Sequence, residues 1–402
     1  MTSSPTGDAR VRPFTIHVDD GVFDDLRRRV EQARWPSPET VDDWSQGIPL
    51  ATTRELCEYW AHDYNWRERE KALNTYPQQL VRLGDLDIHC VHARSPHPEA
   101  TPLVLTHGWP GSFVEYLGLV DELTNPASGR AEDAFHVVLP SLPGYAFSSQ
   151  PEAIGVGIGH IARLWAELMS LLGYDRFGAG GSDWGTSVSA SLGHQFPERV
   201  LGLCLIPPLA APDPSTFGDL IPAEQAALDD LARTNATGSA YSAMHATRPQ
   251  TAGYGLVDSP VALCAWILEK FWSWSDHDGD LYEVIDRDRI LDNLTIYWVT
   301  ATGASSARLY WESFEEIHRI FNEGEPDRIV VPVAASIFPR EIPRVSRRWA
   351  ERRFPDIVQW REHDRGGHFA ALERPDVLVD DLRTFFKDLR ARRDSNPKPS
   401  EP

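Results

Sequence analysis

Short apolar runs and longer stretches with apolar residues three and four apart take turns along most of this chain. That is the pattern of strands alternating with helices in a mostly parallel sheet. Leu103-Val104-Leu105, ending at His107-Gly108, and Phe135-His136-Val137-Val138-Leu139, ending at Pro140, predict two strands. Ile161, Leu164, Trp165, Leu168 and Leu172 share one helical face, which Gly173 closes. Arg176 to Ala179 predicts a strand feeding a sharp turn, Gly180-Gly181-Ser182-Asp183-Trp184-Gly185. A small-residue helix from Thr186 to His194 and a strand from Gly202 to Ile206 follow. Strands at Ile329 to Phe338 and Ile357 to Glu362 and a helix starting at Pro375 complete the pattern.

Two stretches do not alternate. Near the start, Asp19 and Asp20 precede a helix (Phe23, Leu26, Val30) that runs to the stop at Arg34-Trp35-Pro36. Further helices are expected at about 52–64 and 66–74. Leu80-Val81-Arg82-Leu83 and Ile88-His89-Cys90-Val91-His92 flank Gly84-Asp85 as a hairpin. From about Pro208 to Gly324 the chain is helical, aromatic-rich and punctuated by proline, the character of an inserted lid. The division is therefore an N-terminal segment at 1–85, a core at 86–210 and 325–390, a lid at 211–324 and a disordered tail at 391–402.

Composition narrows the function. A chain of 402 residues exceeds one ordinary core, which fits a catalytic domain with added segments. A formal net charge of -20 argues against nucleic acid or anionic lipid as partner, since both need a basic footprint. Cys57, Cys90, Cys204 and Cys264 lie far apart with no metal-ligand spacing, and read as buried, reduced thiols. Met1 to Pro13 is polar, with no apolar signal-peptide region, and no stretch is apolar for long enough to cross a bilayer. The expected location is the cytoplasm.

The candidate chemistry sits at the turn. Strand, Gly181-Ser182-Asp183-Trp184-Gly185, helix is the nucleophile elbow of the α/β-hydrolase fold with Asp at its centre. The flanking glycines allow a turn in which a β-carbon would strike neighbouring backbone. The central side chain is thrust above the C-terminal edge of the sheet, where such sheets place their ligands. Ser182 sits one place early and would point away. A carboxylate nucleophile suits displacement at saturated carbon, as in a strained epoxide, better than attack on an ester. A turn Asp that merely caps the next helix is the plain alternative.

His107-Gly108-Trp109-Pro110-Gly111-Ser112 follows an early strand, where this fold keeps the second part of its oxyanion hole. Gly108 lets the Trp109 N–H face the elbow, where the Trp184 N–H already points. Gly366-Gly367-His368-Phe369, after the last strand, places a histidine in the chain order Asp, acid, His. Its neutral imidazole would take water's proton while a carboxylate holds its tautomer. Glu341 is the favoured carboxylate; Asp356, Glu362 and Asp364 are rivals.

With these residues in hand, the chain resembles the microsomal and juvenile-hormone epoxide hydrolases from about Pro13 to Asp388. Beyond the three motifs above, Pro140-Ser-Leu-Pro-Gly-Tyr145 and Asp258-Ser-Pro260 with Ile267-Leu-Glu-Lys-Phe271 carry the likeness. The segment from Phe14 to about Arg82 looks like that family's N-terminal domain, which wraps round core and lid. The resemblance implies two lid tyrosines that protonate the epoxide oxygen. Tyr310, in Ser305-Ser-Ala-Arg-Leu-Tyr310, matches one. Tyr241 matches the other by its distance from Thr247-Arg-Pro249, although His245 stands where glutamine is expected and Tyr254 is a nearby rival. The family's animal members carry an N-terminal membrane anchor; no such segment is visible in this sequence, so membrane association is not expected of it.

The expected reaction is therefore conversion of a small-molecule epoxide and water to a vicinal diol through an Asp183 ester, in detoxification or secondary metabolism. No metal or cofactor is called for, and a homodimer is compatible with the sequence. The alternatives are a haloalkane dehalogenase, which would use the same Asp and the Trp184 indole, and a non-catalytic binding protein, which would show a degraded triad.

Overall fold

The computed structural model describes residues 10–322 and 327–395. The N-terminal segment supplies β1 (Val11–Phe14), α1 (Asp20–Glu31), α2 (Leu50–His62), α3 (Trp66–Leu73), β2 (Gln78–Leu83) and β3 (Leu86–Ala93). The core continues with β4 (Thr101–Thr106), α4 (Leu117–Thr124), β5 (Phe135–Pro140), α5 (Ile158–Leu171), β6 (Phe177–Ser182), α6 (Trp184–Gln195) and β7 (Val200–Ile206). Six helices form the lid: α7 (Pro222–Thr237), α8 (Ala240–Thr247), α9 (Pro249–Asp258), α10 (Pro260–Trp274), α11 (Arg287–Val299) and α12 (Gly303–Asn322). Then come β8 (Val333–Ile337), α13 (Arg347–Arg353), β9 (Ile357–Glu362), α14 (Ala370–Glu373) and α15 (Pro375–Ser395).

Among the described residues nine strands make one sheet in the order β1-β2-β3-β5-β4-β6-β7-β8-β9. The pairings β1–β2, β2–β3 and β3–β5 are antiparallel, and every pairing from β5–β4 to β8–β9 is parallel. After β4 the chain first fills β5 on one side and then crosses to β6 on the other. The C-terminal ends of β4 and β6 therefore lie side by side at a topological switch point, with Thr106 opposite Gly181. One buried cluster beneath α4 and α15 and another beneath α5, α6 and the lid cover the two faces of the sheet.

The N-terminal segment does two jobs. It extends the sheet by β1 and β2, and its helices clasp the lid: Trp60 Nε1 donates to Thr295 Oγ1 at 2.8 Å, and Tyr64 and Arg69 both reach the buried Asp292 of α11. The expected division at 85 thus falls inside a hairpin whose two strands both belong to the sheet. Strand β1 went unread because its four residues include Arg12 and Pro13, which mask any alternation.

Three other boundaries differ. Strand β8 begins at Val333 rather than Ile329, since Pro332 has no N–H for the ladder. Helix α1 stops at Glu31, before the proline that was expected to end it. The expected tail from 391 is helical to Ser395: no glycine or proline interrupts the run before Pro397, Leu389 is buried, and Arg390 is tied to Thr101 and the Glu132 carbonyl. Residues 1–9, 396–402 and the expected lid–core junction at 324–325 lie outside the described residues.

Candidate active site

Asp183 takes φ 52° and ψ −124°, a region that L-residues rarely adopt and that costs about 1–3 kcal/mol. The neighbouring strand enforces this conformation. A β-carbon at Gly181 would lie 2.3 Å from the Thr106 carbonyl oxygen, and one at Gly185 would lie 1.8 Å from it. The tight turn is possible only because both positions lack side chains. Ser182 points away, into the core, where its hydroxyl meets the Tyr116 hydroxyl at 3.0 Å.

The end of β4 meets the elbow from the other side of the switch point. The Trp109 N–H donates to Asp183 Oδ1 at 2.8 Å, and the Trp184 N–H also stabilises the carboxylate. Gly108 is the hinge of this approach, since a β-carbon there would lie 2.1 Å from Oδ1. His107 is buried beneath the loop. Its Nδ1–H donates to the Gly108 carbonyl at 3.0 Å and its Nε2 accepts from the Leu142 N–H at 3.1 Å. Burial holds its pKa down to about 4, so it is a neutral brace for the loop.

His368 faces the other oxygen of this carboxylate: its Nε2 is 3.8 Å from Asp183 Oδ2. Its Nδ1 lies 2.8 Å from Glu341 Oε1. Glu341 is 2% exposed, on the loop after β8. The rival acids are committed elsewhere or absent from this contact: Glu362 accepts from the Trp360 indole and Asp356 pairs with Arg392. Burial works against an imidazolium here, but the Glu341 carboxylate, backed by Asp183 and Glu115, outweighs it and pushes His368 up to about 9. Burial also raises Asp183, while His368 and the two amides pull the other way.

The lid closes the site with aromatic rings. Tyr241 of α8 stacks on Trp109 with ring centroids 4.9 Å apart, and Tyr310 of α12 meets Trp184 edge-on at 4.8 Å. The two phenol rings meet edge-on with centroids 5.8 Å apart, and each hydroxyl influences the ionisation of the other. Burial raises the pKa of both, so both are protonated at neutral pH. Tyr254, the rival of Tyr241, is 71% exposed. Asp183, His368, Glu341, Tyr241 and Tyr310 all line one cavity of about 230 Å³, whose remaining wall includes Ile206, Leu209, Phe314 and Ile317. A larger cavity of about 390 Å³, between Ile154, Pro249 and Trp311 on the far side of α12, touches none of the five.

Sequence reading missed two acids beside the site. Glu115, 4% exposed, follows the Trp109 loop and packs against Gly111, where a β-carbon would lie 1.1 Å from its Oε1 and displace the carboxyl. Burial, with Asp183 behind it, pushes Glu115 up to about 8 despite the His368 cation. A charged residue inside the apolar run Phe113-Val-Glu-Tyr116 was the available signal. Glu373 is the other, on α14 behind the histidine loop. No group of three or more His, Cys, Asp or Glu among the described residues is placed to hold a metal ion. No single described helix is long and apolar enough to cross a membrane.

A strained Asp at a strand–helix turn, two amide donors and a Glu-braced histidine under a helical lid define an α/β-hydrolase-fold enzyme. Comparison with known proteins narrows the class. The model of the epoxide hydrolase N terminus matches residues 11–116, and that of the alpha/beta hydrolase fold matches 101–240. The chain is 47% identical to a Stigmatella aurantiaca protein named "Putative epoxide hydrolase", over 95% of this chain and 86% of that one. It is 33% identical to juvenile hormone epoxide hydrolase 1 of Ctenocephalides felis, over 95% and 87%. The crystal structure of juvenile hormone epoxide hydrolase from the silkworm Bombyx mori superposes with a TM-score of 0.87 at 28% identity, covering 96% of both chains. That of Aspergillus niger epoxide hydrolase superposes with a TM-score of 0.84 at 32% identity, covering 94% and 96%. The chain belongs to the epoxide hydrolase family.

Proposed function

We propose that this enzyme converts a small-molecule epoxide to a vicinal diol in two steps, through an ester on Asp183. The observation that carries the reading is the division of labour on one carboxylate: Oδ1 accepts from the Trp109 N–H at 2.8 Å, while Oδ2 faces His368 Nε2 at 3.8 Å. Oδ2 attacks an epoxide carbon, the C–O bond breaks, and one of Tyr310 and Tyr241 gives its proton to the leaving oxygen while the other hydrogen-bonds to it. Positioned acids of this kind typically contribute about 10²–10⁴-fold. His368, oriented by Glu341, then takes a proton from water. The hydroxide adds to Asp183 Cγ, and the charge that develops on Oδ1 is already met by the amide donors. Collapse breaks the Cγ–Oδ2 bond, the imidazolium returns its proton to the departing alkoxide so that the diol leaves, and the acid proton on Asp183 passes to the tyrosinate, restoring carboxylate and phenol.

Alkylation also prepares the base. Once Asp183 is an ester its charge is gone, and the imidazolium loses one of the anions that sustain it. His368 then gives up its proton more readily in the intermediate that needs a base. The apolar wall formed by Ile206, Leu209, Phe314 and Ile317 favours an epoxide with apolar substituents. The four cysteines are buried and free, in keeping with the cytoplasm, where we place the enzyme.

Single turnover in H₂¹⁸O tests the covalent route. Label is expected in the Asp183 side chain, whereas label found only in the diol would rule the ester out. A second reading, displacement of halide from carbon by the same Asp183, draws on one observation, the buried Trp184 indole N–H with no partner. Chloride release from a chloroalkane, with no diol from an epoxide, would select it.

A further inference from the structure

The loop that carries His368 is fastened from behind, and its fastenings belong to the lid. The His368 N–H donates to the carbonyl of Trp274, the last residue of α10, at 2.9 Å. Two residues along, the buried Asp276 turns its carboxylate onto the same loop. Oδ2 accepts from the Gly366 N–H at 2.8 Å and from Arg365 Nε at 2.7 Å, while Oδ1 faces Arg340 at 3.5 Å. Glu373 closes the ring from the opposite side. It accepts from the Asp276 N–H at 2.8 Å through Oε2 and from the Phe369 N–H at 3.1 Å through Oε1, with the Gly367 N–H as a further donor.

The ring leaves no room for a side chain at position 367. A β-carbon at Gly367 would lie 2.3 Å from the Trp274 carbonyl oxygen and 3.1 Å from Glu373 Oε1. Trp274 meanwhile contacts both partners in the proposed chemistry. Its ring is 4.8 Å from that of His368 and 5.4 Å from that of Tyr241. The stretch from Trp274 to Asp276 therefore touches the base, the acid and the loop at once.

We propose that Asp276 and Glu373 are positioning residues that bolt the 365–369 loop to the end of α10, so that the lid's position sets where His368 Nε2 points. The inference rests on the reading of His368 as the base that hydrolyses the Asp183 ester. Neither carboxylate reaches the reacting atoms. Both act through the loop, by its backbone amides and for Asp276 also by the Arg365 side chain, and their effect belongs to the second half-reaction, in which the imidazole must meet a water molecule. Ester formation draws on Oδ2 of Asp183 and the tyrosines, which the ring does not hold directly.

Asp276→Ala and Asp276→Asn separate this role from general structural support, since asparagine can keep its oxygen toward Gly366 and Arg365. The full-length variants are compared by hydrogen exchange of the 365–369 segment and by single-turnover rates of ester formation and ester hydrolysis. In Asp276→Ala, exchange at 365–369 is expected to quicken and hydrolysis to slow by on the order of tenfold to a hundredfold, the scale of a small misplacement of a reacting group. Ester should accumulate while its formation rate stays close to wild type, and Asp276→Asn should recover most of the hydrolysis rate. Unchanged exchange, faster exchange with an unchanged hydrolysis rate, or an equal fall in both half-reactions would overturn the proposal. If Asp276→Ala does not fold, Glu373→Gln, which removes one of the carboxylate acceptors, is read the same way. A wild-type enzyme that forms no ester with any epoxide would sink the reading of the site itself, a failure distinct from an ester that hydrolyses normally in the variants.

Discussion

The Trp109 amide nitrogen stands 2.8 Å from Asp183 Oδ1, so the donor we propose for the oxyanion of the second step already engages the carboxylate. The contact crosses the switch point between the ends of β4 and β6, and it explains why position 108 must lack a side chain. It also supports Oδ2 as the attacking oxygen in the proposed reaction. Gly108→Ala should push the two loops apart. The expected loss is about 2.7–4 kcal/mol of barrier stabilisation in the hydrolysis step, the scale for one oxyanion donor, read as kcat on an epoxide that wild type accepts. An unchanged kcat would mean that the Trp109 N–H plays no part.

His368→Gln removes the base while keeping the bulk. Ester formation should persist, hydrolysis should fall by about 10²–10⁴-fold, and the alkyl-enzyme should be visible by intact mass. A variant that still turns over with no adduct would take His368 out of the mechanism.

Tyr310→Phe and Tyr241→Phe should each slow ester formation rather than hydrolysis. Single-turnover rates of the two steps check this, and an unchanged rate of ester formation in both variants would remove the tyrosines from the acid role.

The two half-reactions should respond to pH differently. Ester formation needs the Asp183 anion and should fall as pH drops through a value above 3.8, because burial raises that carboxyl. Ester hydrolysis needs neutral His368 and should rise with pH. Its midpoint should lie below about 9, the value with Asp183 ionised, because the ester carries no charge to hold the cation. Stopped-flow single turnovers across neutral and alkaline pH give both profiles. A hydrolysis midpoint above that of the free enzyme would reverse the argument.

Buried neutral histidines should make the fold sensitive to acid. Burial lowers His89 to about 3 and His92, His107 and His245 to about 4, from 6.5. Below pH 6.5 the unfolded chain binds protons at these positions and the folded chain does not. Stability is therefore lost as pH falls toward 4, by about 1.4 kcal/mol per pH unit for each histidine. Urea unfolding at neutral and mildly acidic pH checks this, and His89→Gln should flatten the slope.

Local rules made much of this molecule readable from its residues. Glycines on both sides of Asp183, after a strand and before a small-residue helix, permit one kind of turn, and that turn places its central side chain above the sheet edge. Periodicity marked most of the strands and the lid, because each apolar stripe has to be buried. What the chain order left open was decided by contacts between distant segments. The choice of Glu341 over Asp356, Glu362 and Asp364 is a matter of which carboxylate lies beside Nδ1. The choice of Tyr241 over Tyr254 depends on which face of the lid meets Trp109. The clasp of Asp276 and Glu373 on the histidine loop joins residues about ninety positions apart, and the buried Glu115 looks in sequence like any surface acid. Spacing along a chain dictates local geometry, but burial and charge coupling arise only when the sheet and lid bring separate segments together.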